Sequence, residues 1–491
     1  MQQFFERCPA FYVGLFLLLG VASHFAWHPL YLAFLVVLLF PMRNSKKWMG
    51  YLLLALSAYC ITAIRFPSIA MPQNALEGKG RFSATRVAYA RGAFHRFTVY
   101  EGTLRFTSTA GQRLPTISCR IFSPSHVHPA DRDYIIEGTL VQNRPGEYTL
   151  HPKKRSPWQA LPKTFCFAEW RFHAKRALGT FIKHHIHDKN AAAFLTALFT
   201  GDVEERSLKI ELNRLGISHL IAISGFHFAL IALFLETLLR FILPFKARLL
   251  AMLFLLSGYF LFLGVAPSIM RAYIAISLYL LGKFLGKRIT GCNALGVGLC
   301  VECLIDPHVI TSLSFQLSFS CTIAILLLYQ PVHAFLAKWL PERTPAAISE
   351  MPLFHQHGYI LLSLLRKGLA LNLSVHLFSV PILLYYFHKF PMASLSYNLF
   401  IPFLTGIACI FLLLALCLSP LPLLPNGFFW LAEMVTTSIL TFTTNAPLSL
   451  QWTLRTQLLS FPWVLFLLSL LFLLGMHQTQ QHDFRRFSPR G

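Results

Sequence analysis

Ser224 and His227 stand one helical turn apart in the segment Gly216-Ile-Ser-His-Leu-Ile-Ala-Ile-Ser-Gly-Phe-His227, which runs straight into the apolar residues Phe228 to Leu239. A serine hydroxyl within reach of an imidazole base is the pairing that nucleophilic catalysis uses. Two further requirements of that chemistry are not met. A nucleophile and a base on adjacent turns of one helix rarely converge on a common reacting atom, and no carboxylate is placed to orient the imidazole. Serine and histidine also serve as hydrogen-bonding contacts between membrane helices. Lining or interhelix contact is therefore the better reading, and an intramembrane serine hydrolase the weakest.

Other chemistry-bearing residues interrupt apolar sequence. Arg271 lies in Gly264-Val-Ala-Pro-Ser-Ile-Met-Arg-Ala272, Glu302 and Asp306 flank Glu-Cys-Leu-Ile-Asp-Pro307, and Glu433 falls inside a later apolar run. A charge at that depth costs about 2.5–3.5 kcal/mol on insertion scales, so such residues mark a pathway or a pairing. The planar fork of Arg271 suits it to phosphate oxygens; the alternative is a helix-locking pair with Glu302 or Asp306. Ser312, Ser314, Gln316, Ser318 and Ser320 recur at every second position: extended backbone would align them on one side, a helix would scatter them. His376, Ser379, Ser394, Ser396 and Asn398 form another polar set. The cluster His184, His185, His187 and Asp188 reads as a solvated basic cap, so no metal or cofactor is expected. The chain has no phosphate-binding loop of the Gly-x-x-x-x-Gly-Lys-Ser/Thr type.

The elements that hold these residues follow from composition. Of 491 residues, 55% are hydrophobic and 13% charged, against about 25% charged in globular domains. This indicates a polytopic α-helical membrane protein. Apolar runs near 9–25, 29–41, 48–64, 228–239, 249–265, 267–282, 290–304, 309–329, 368–387, 392–418, 423–443 and 459–476 give about twelve spans. The basic residues Arg43, Lys46, Lys47, Arg240, Lys246, Arg248, Lys283, Lys287 and Arg288 belong on the cytoplasmic side, which predicts both termini in the cytoplasm. The first run lacks a signal-peptide cleavage site and is expected to remain.

Between the third and fourth runs the sequence alternates with period two and carries a hairpin signal at Asn143-Arg-Pro-Gly146, predicting a small extracytoplasmic β-barrel domain of the OB type. Residues 74–156 hold thirteen Lys or Arg against six Asp or Glu, interleaved with Phe82, Tyr89, Phe94, Phe97, Tyr100 and Phe106. Basic strands with aromatics suit a single-strand nucleic-acid surface, whereas the simpler reading assigns the aromatics to the core. Arg81, Arg86, Arg96 and Arg105 are the candidate DNA-binding cations. A disulfide between Cys119 and Cys166 is expected in an oxidising compartment. Residues 168–189 form an amphipathic helix expected on the membrane surface. The predicted organisation is N-terminal spans 1–66, β domain 67–167, interfacial helix 168–189, polytopic domain 190–478 and basic tail 479–491. A further interfacial helix is predicted over Met351 to Leu365.

At this level the chain resembles the ComEC family of competence DNA-uptake proteins. The resemblance rests on Leu-Phe-Thr-Gly-Asp202, the Gly216–His227 segment, Gly264 with Pro-Ser-Ile-Met-Arg-Ala272, Asp306-Pro307, Ser314-Phe-Gln-Leu-Ser-Phe319, Ser379-Val-Pro381, Asn398 and Pro402. It implies a channel, not an enzyme, that passes single-stranded DNA across the cytoplasmic membrane, with Asp202, His219, Ser224, Gly225, His227, Arg271, Gln316 and Asn398 along its path or gate. Many members of that family end in a metallo-β-lactamase-like domain, which is not recognisable here. A separate nuclease, a DNA receptor and a cytoplasmic helicase are therefore expected partners besides DNA and the bilayer, and homo-oligomerisation stays open. The alternative of another class is a transporter or flippase for an anionic small molecule or lipid-linked substrate.

Overall fold

Backbone in hydrocarbon must satisfy its own hydrogen bonds, and the apolar runs accordingly fold as helices. The computed structural model describes residues 6–487 apart from 26, 41–46, 67–74, 92–95, 110, 112–113, 115, 125, 127, 145–146, 154–155, 163, 204, 422–423, 448–451 and 457–458; the side chains of 91, 96, 144, 147 and 479–487 are also outside the description. Helices α1 (Pro9–Phe25), α2 (Pro29–Leu39) and α3 (Lys47–Arg65) precede the β domain. After it come α4 (Ala168–His185), α5 (Lys189–Thr200), α6 (Arg206–Arg214), α7 (Gly225–Leu239), α8 (Phe245–Leu263), α9 (Pro267–Phe284) and α10 (Gly291–Ile305). The chain continues through α11 (Leu313–Ala337), α12 (Pro345–Ser349), α13 (Leu353–Phe387), α14 (Ala393–Leu418), α15 (Leu424–Thr444) and α16 (Phe461–Phe487).

Among the described residues, each of the twelve expected segments contains a helix. Among the described residues, six helices are long and apolar enough to cross a membrane: α3, α8, α11, α13, α14 and residues Phe461–Gln478 of α16. Helices α1, α2, α7 and α10 are apolar but shorter. The chain is thus a multi-pass membrane protein in which some expected spans are short elements supported by neighbours. Helices α1 and α10 approach closely at Gly296, where an added Cβ would lie 2.2 Å from the Phe11 amide nitrogen; small residues permit such backbone contact between membrane helices. The expected separate helix at 351–365 is instead the first half of α13, which runs unbroken for 35 residues. Residues 313–320 are helical, so the alternating serines diverge around α11 rather than lining one side.

The β domain is a closed barrel. Strands β1 (Leu76–Arg91), β2 (Arg96–Ser108), β3 (Ile117–Ser123), β4 (Tyr134–Arg144) and β5 (Glu147–Pro152) run in the order β1-β2-β3-β5-β4, and β4 returns to β1; β6 (Gln159–Ala160) extends the β4 edge. The β3–β5 pairing is parallel and the others are antiparallel. Closure removes the free edges that a small sheet would expose. Burial alternates along β3, and Phe82, Ala84, Val87, Tyr100, Leu104, Phe106, Cys119, Ile121, Ile136 and Leu150 fill the interior. Each large aromatic there contributes roughly 1.5–3 kcal/mol through burial. Phe82, Tyr100 and Phe106 are therefore core residues, and Tyr89 packs on Phe172 of α4; Phe94 lies outside the described residues.

The expected disulfide is not formed: Cys119 and Cys166 are both free thiols. Cys119 is buried in the barrel core, while Cys166 contacts Ser83 Oγ at 3.7 Å and Asp133 Oδ1 at 3.4 Å. Ser83 alternates with the inward Phe82 and Ala84, so the strand wall separates the two sulfurs. Sequence could place both cysteines in the domain but not on one side of that wall. Helix α4, expected from sequence on the membrane surface, packs into two cores. Ala168 and Phe172 join the barrel core, and Ile182 joins a core with α5, α6, α14 and α15.

Candidate functional site

The polar segment 216–227 folds as a tight turn wedged among later helices. Gly216 has φ +72°, and a Cβ there would meet Pro391 Cγ at 2.6 Å and Ser394 Cβ at 3.0 Å. Glycine is required on both counts, by the left-handed backbone and by the close approach. Residues Ser218–Leu220 form a 3-10 turn in which His219 is exposed, and Ser224 begins α7. His227 Nδ1 accepts from the Ser224 amide at 3.2 Å and stands 3.3 Å from Ser224 Oγ. This local pairing caps the helix start. His227 is buried, and its Nε2 has no hydrogen-bond partner among the described residues. No carboxylate engages the imidazole among those residues, so the pair lacks the third group a hydrolytic triad uses.

A hydrogen-bonded chain from α13 and α14 closes on the turn. Ser394 Oγ donates to the Gly216 carbonyl at 3.4 Å and accepts from Asn398 Nδ2 at 2.8 Å. His376 Nε2 lies 3.3 Å from the same hydroxyl, and His376 Nδ1 lies 2.8 Å from the Asn372 carbonyl, fixing the ring. Asn398 Oδ1 is buried without a partner among the described residues. Buried polar atoms are nearly always satisfied in folded proteins, so the orphan atoms of His227 and Asn398 mark a region built to meet another polar group.

Arg271 sits on α9 against this region. Its Nε donates to Ser318 Oγ of α11 at 2.8 Å, and its Nη2 lies 3.5 Å from the Cβ position of Gly225, at the N-terminus of α7. A helix N-terminus carries partial positive charge, so the guanidinium and the first amides of α7 together favour an anion. Arg271 makes no ion pair among the described residues. Glu302 is buried with neither carboxylate oxygen hydrogen-bonded among the described residues, and Asp306 caps the 3-10 turn Pro307–Thr311 through the His308 amide. The helix-locking pair considered from sequence is not made among the described residues. Gln316, two residues before Ser318, points elsewhere and donates to the Ile310 carbonyl at 3.2 Å.

Asp202 belongs to a different place. It receives Arg86 Nη2 from the barrel at 2.5 Å and faces Lys175 Nζ of α4 at 3.6 Å. Arg86 also donates to the Gly201 carbonyl and pairs with Glu101 at 3.5 Å. A β-bulge between Ala84 and Arg86 makes this possible. It breaks the alternation that would turn Arg86 inward, and aims it at the bundle. Burial holds the Lys175 ammonium below the usual lysine range against the pull of Asp202. These residues tie barrel, α4 and bundle together.

On the outer wall of β1, β2 and β3, Arg81 and Arg105 stand directly across from each other. Arg81 is paired with Asp133, whereas Arg105 is exposed and unpaired among the described residues. Arg120 pairs with Glu101 at 3.0 Å, and Phe97 packs edge-on against the exposed Phe122. Arg96 begins β2, with its side chain outside the description. Of the residues singled out from sequence, the structure gathers Ser224, Gly225, His227, Arg271 and Asn398 around the turn, with His219 within it, and separates Asp202 and Gln316 from them. Sequence reasoning did not single out Gly216 with Pro391, or the Lys175–Asp202–Arg86 link. A glycine before a polar run was the one local signal for the former; the latter has none.

The family model described as Competence protein matches residues 198–480, more than half of the chain. The chain is 29% identical to ComE operon protein 3 of Bacillus subtilis over 222 residues, which cover 44% of this chain and 25% of that protein. It is 26% identical to the uncharacterized protein YcaI of Escherichia coli over 243 residues, 46% of this chain and 29% of that one. The aligned part thus spans less than a third of either relative. No solved structure matches the chain.

Proposed function

The chain belongs to the competence protein family, and from that premise we propose that it forms the path by which single-stranded DNA crosses the cytoplasmic membrane during natural transformation. The observation that carries the proposal is Arg271: a guanidinium among apolar helices, without an ion pair among the described residues, beside the N-terminus of α7. An anion passing the turn 216–227 would meet that charge together with the α7 amides, and a phosphate is bound bidentately by such a fork. The orphan atoms on His227 and Asn398 would line the same passage.

In this reading the barrel receives the strand. The strand 2–3 face of an OB barrel is its nucleic-acid surface, and here that face offers Arg105, Arg120 and the Phe97–Phe122 pair. Arg81 would contribute a charge shared with Asp133. Arg86, occupied by Asp202 and Glu101, would position the barrel rather than bind phosphate. Both termini would lie in the cytoplasm, and a DNA receptor, a nuclease and a helicase would act alongside. No covalent step is assigned to this chain. The same Arg271 would also serve a transporter or flippase of an anionic small molecule or lipid-linked substrate, and the test must separate the two.

The test is transformation of a strain deleted for the gene and complemented with Arg271→Gln, Arg271→Lys or wild type at matched membrane levels. Losing a charged contact of about 1.5–3 kcal/mol predicts a roughly tenfold or greater fall in cytoplasmic DNA uptake for Arg271→Gln and a smaller one for Arg271→Lys. Single-strand DNA binding by the full-length chain should weaken with salt by about 0.7 log unit per tenfold salt for each phosphate contacted. Normal transformation of the deletion strain refutes the channel and favours the transporter.

A further inference from the structure

Between β3 and β4, His126 and Ala130 lie against Glu169 in the first turn of α4, and three metal-ligating side chains converge. Glu169 Oε1 is 2.8 Å from His126 Nε2 and also 2.8 Å from His173 Nε2, four residues further along the helix. The ligand atoms all lie within 4.8 Å of one another. The other Glu169 oxygen is taken by the Ala130 amide at 2.7 Å, which leaves Oε1 free to face the two imidazoles.

The support around His126 fixes which nitrogen is available. Tyr100 Oη donates its one proton to the His128 carbonyl at 2.9 Å and lies 3.0 Å from His126 Nδ1. With that proton used, Tyr100 can only accept from His126, so Nδ1 carries a proton. Nε2 faces Glu169 Oε1, which only accepts, so the 2.8 Å contact is held by a positive charge, either a second ring proton or a metal ion. The ring is held in place by Tyr100 stacked at 5.8 Å and Phe172 at 4.7 Å. An outer-shell donor or acceptor on the distal nitrogen and a fixed ring plane are what a metal-binding histidine has.

We propose that His126, Glu169 and His173 bind a divalent cation of the Zn2+ class, which clamps the β3–β4 loop onto the helix that leads from the barrel into the bundle. Two imidazoles and one carboxylate are a common three-ligand set for zinc, with the fourth position left open. The open side is that of His173, whose side chain is 60% exposed, whereas His126 and Glu169 are 16% and 14% exposed. Ligand atoms on a tetrahedral zinc stand about 3.4 Å apart, so the two 2.8 Å contacts open by roughly half an ångström, within reach of a helix-surface histidine. The site is independent of the transport reading, because it concerns the barrel and its connecting helix alone.

The experiment uses the full-length chain purified in detergent through a histidine-free tag. Metal content is measured after dialysis, Zn2+ affinity by competition with a chromophoric chelator, and Co2+ loading by its visible d–d bands. One equivalent of zinc is expected, with the bound metal lost in His173→Gln and in Glu169→Gln. Affinity should fall about 10- to 100-fold in Tyr100→Phe, which removes the outer-shell partner of His126 together with the hydrogen bond to the His128 carbonyl. His173 is exposed enough for its glutamine variant to fold, and His184→Ala with His187→Ala should leave the stoichiometry unchanged. Trace metal with no Co2+ spectrum, or a full equivalent persisting in His173→Gln, overturns the proposal. The first result would mean that a proton on His126 supplies the charge; the second, that the metal binds elsewhere.

Discussion

Replacing Asp202 with asparagine tests whether the link between barrel, α4 and bundle is electrostatic. Lys175 Nζ lies 3.6 Å from the carboxylate and its side chain is only 8% exposed. At that distance the gross attraction is about 4–5 kcal/mol for an effective dielectric near 20. Part of it offsets the desolvation of both groups, and breaking a fully buried pair costs about 3–5 kcal/mol because the remaining charge is left unpaired. Arg86 moderates the loss, since its side chain is 42% exposed and keeps Glu101 and the Gly201 carbonyl. A net loss of about 2–3 kcal/mol is expected, equivalent to roughly 30- to 150-fold more frequent local opening. Amide hydrogen exchange of the full-length chain, read over peptides covering 81–91, 168–178 and 196–203, measures it. Lys175→Met added to Asp202→Asn should restore much of the protection, because no uncompensated ammonium then remains. A change under about threefold, or below ~0.7 kcal/mol, for Asp202→Asn would refute the reasoning. So would a double variant no better protected than the single one.

Two further outcomes follow from other residues. Gly216→Ala should lower the unfolding midpoint, because strain at φ +72° adds about 1–2 kcal/mol to the overlap with Pro391. Gly225→Ala should be tolerated, since its Cβ would sit 3.5 Å from Arg271 Nη2 at ordinary contact distance; equal damage from both would refute the packing of the turn. At Asp133, burial works to raise the carboxyl, but hydrogen bonds from Ser83, Arg81 and Cys166 outweigh it and hold it below its ordinary value of 3.8. A depressed folded value stabilises above the unfolded one and is lost as pH falls through the acid range below about 4. The thermal midpoint of the barrel, followed by near-ultraviolet circular dichroism, should therefore fall on acidification, and Asp133→Asn should flatten that dependence.

Local sequence carried the architecture because its signals are local. Apolar runs marked the longer apolar helices of the membrane part but not α5, α6 and α12, and period-two alternation with the hairpin signal in the sequence Asn143-Arg-Pro-Gly146 marked the barrel. Where a decision depended on the partner across space, sequence was silent or misleading. The strand wall between Cys119 and Cys166 is visible only once β1 closes on β4. Continuity through 353–387 depends on helix packing that carries Arg366, 2% exposed and bonded to the Leu340 and Pro341 carbonyls, inside the protein.

The candidate site divides in the same way. The sequence by itself determined that polar groups at 216–227, 271 and 398 interrupt or border apolar sequence, because their cost in a membrane is set by residue type. Only tertiary structure decided which of them meet. Gly216 contacts Ser394 across 178 residues, Arg86 meets Asp202 across 116, and Arg271 meets Ser318 across 47. Such pairings depend on helix rotation and on one bulge in β1, and no pattern within a few residues encodes either.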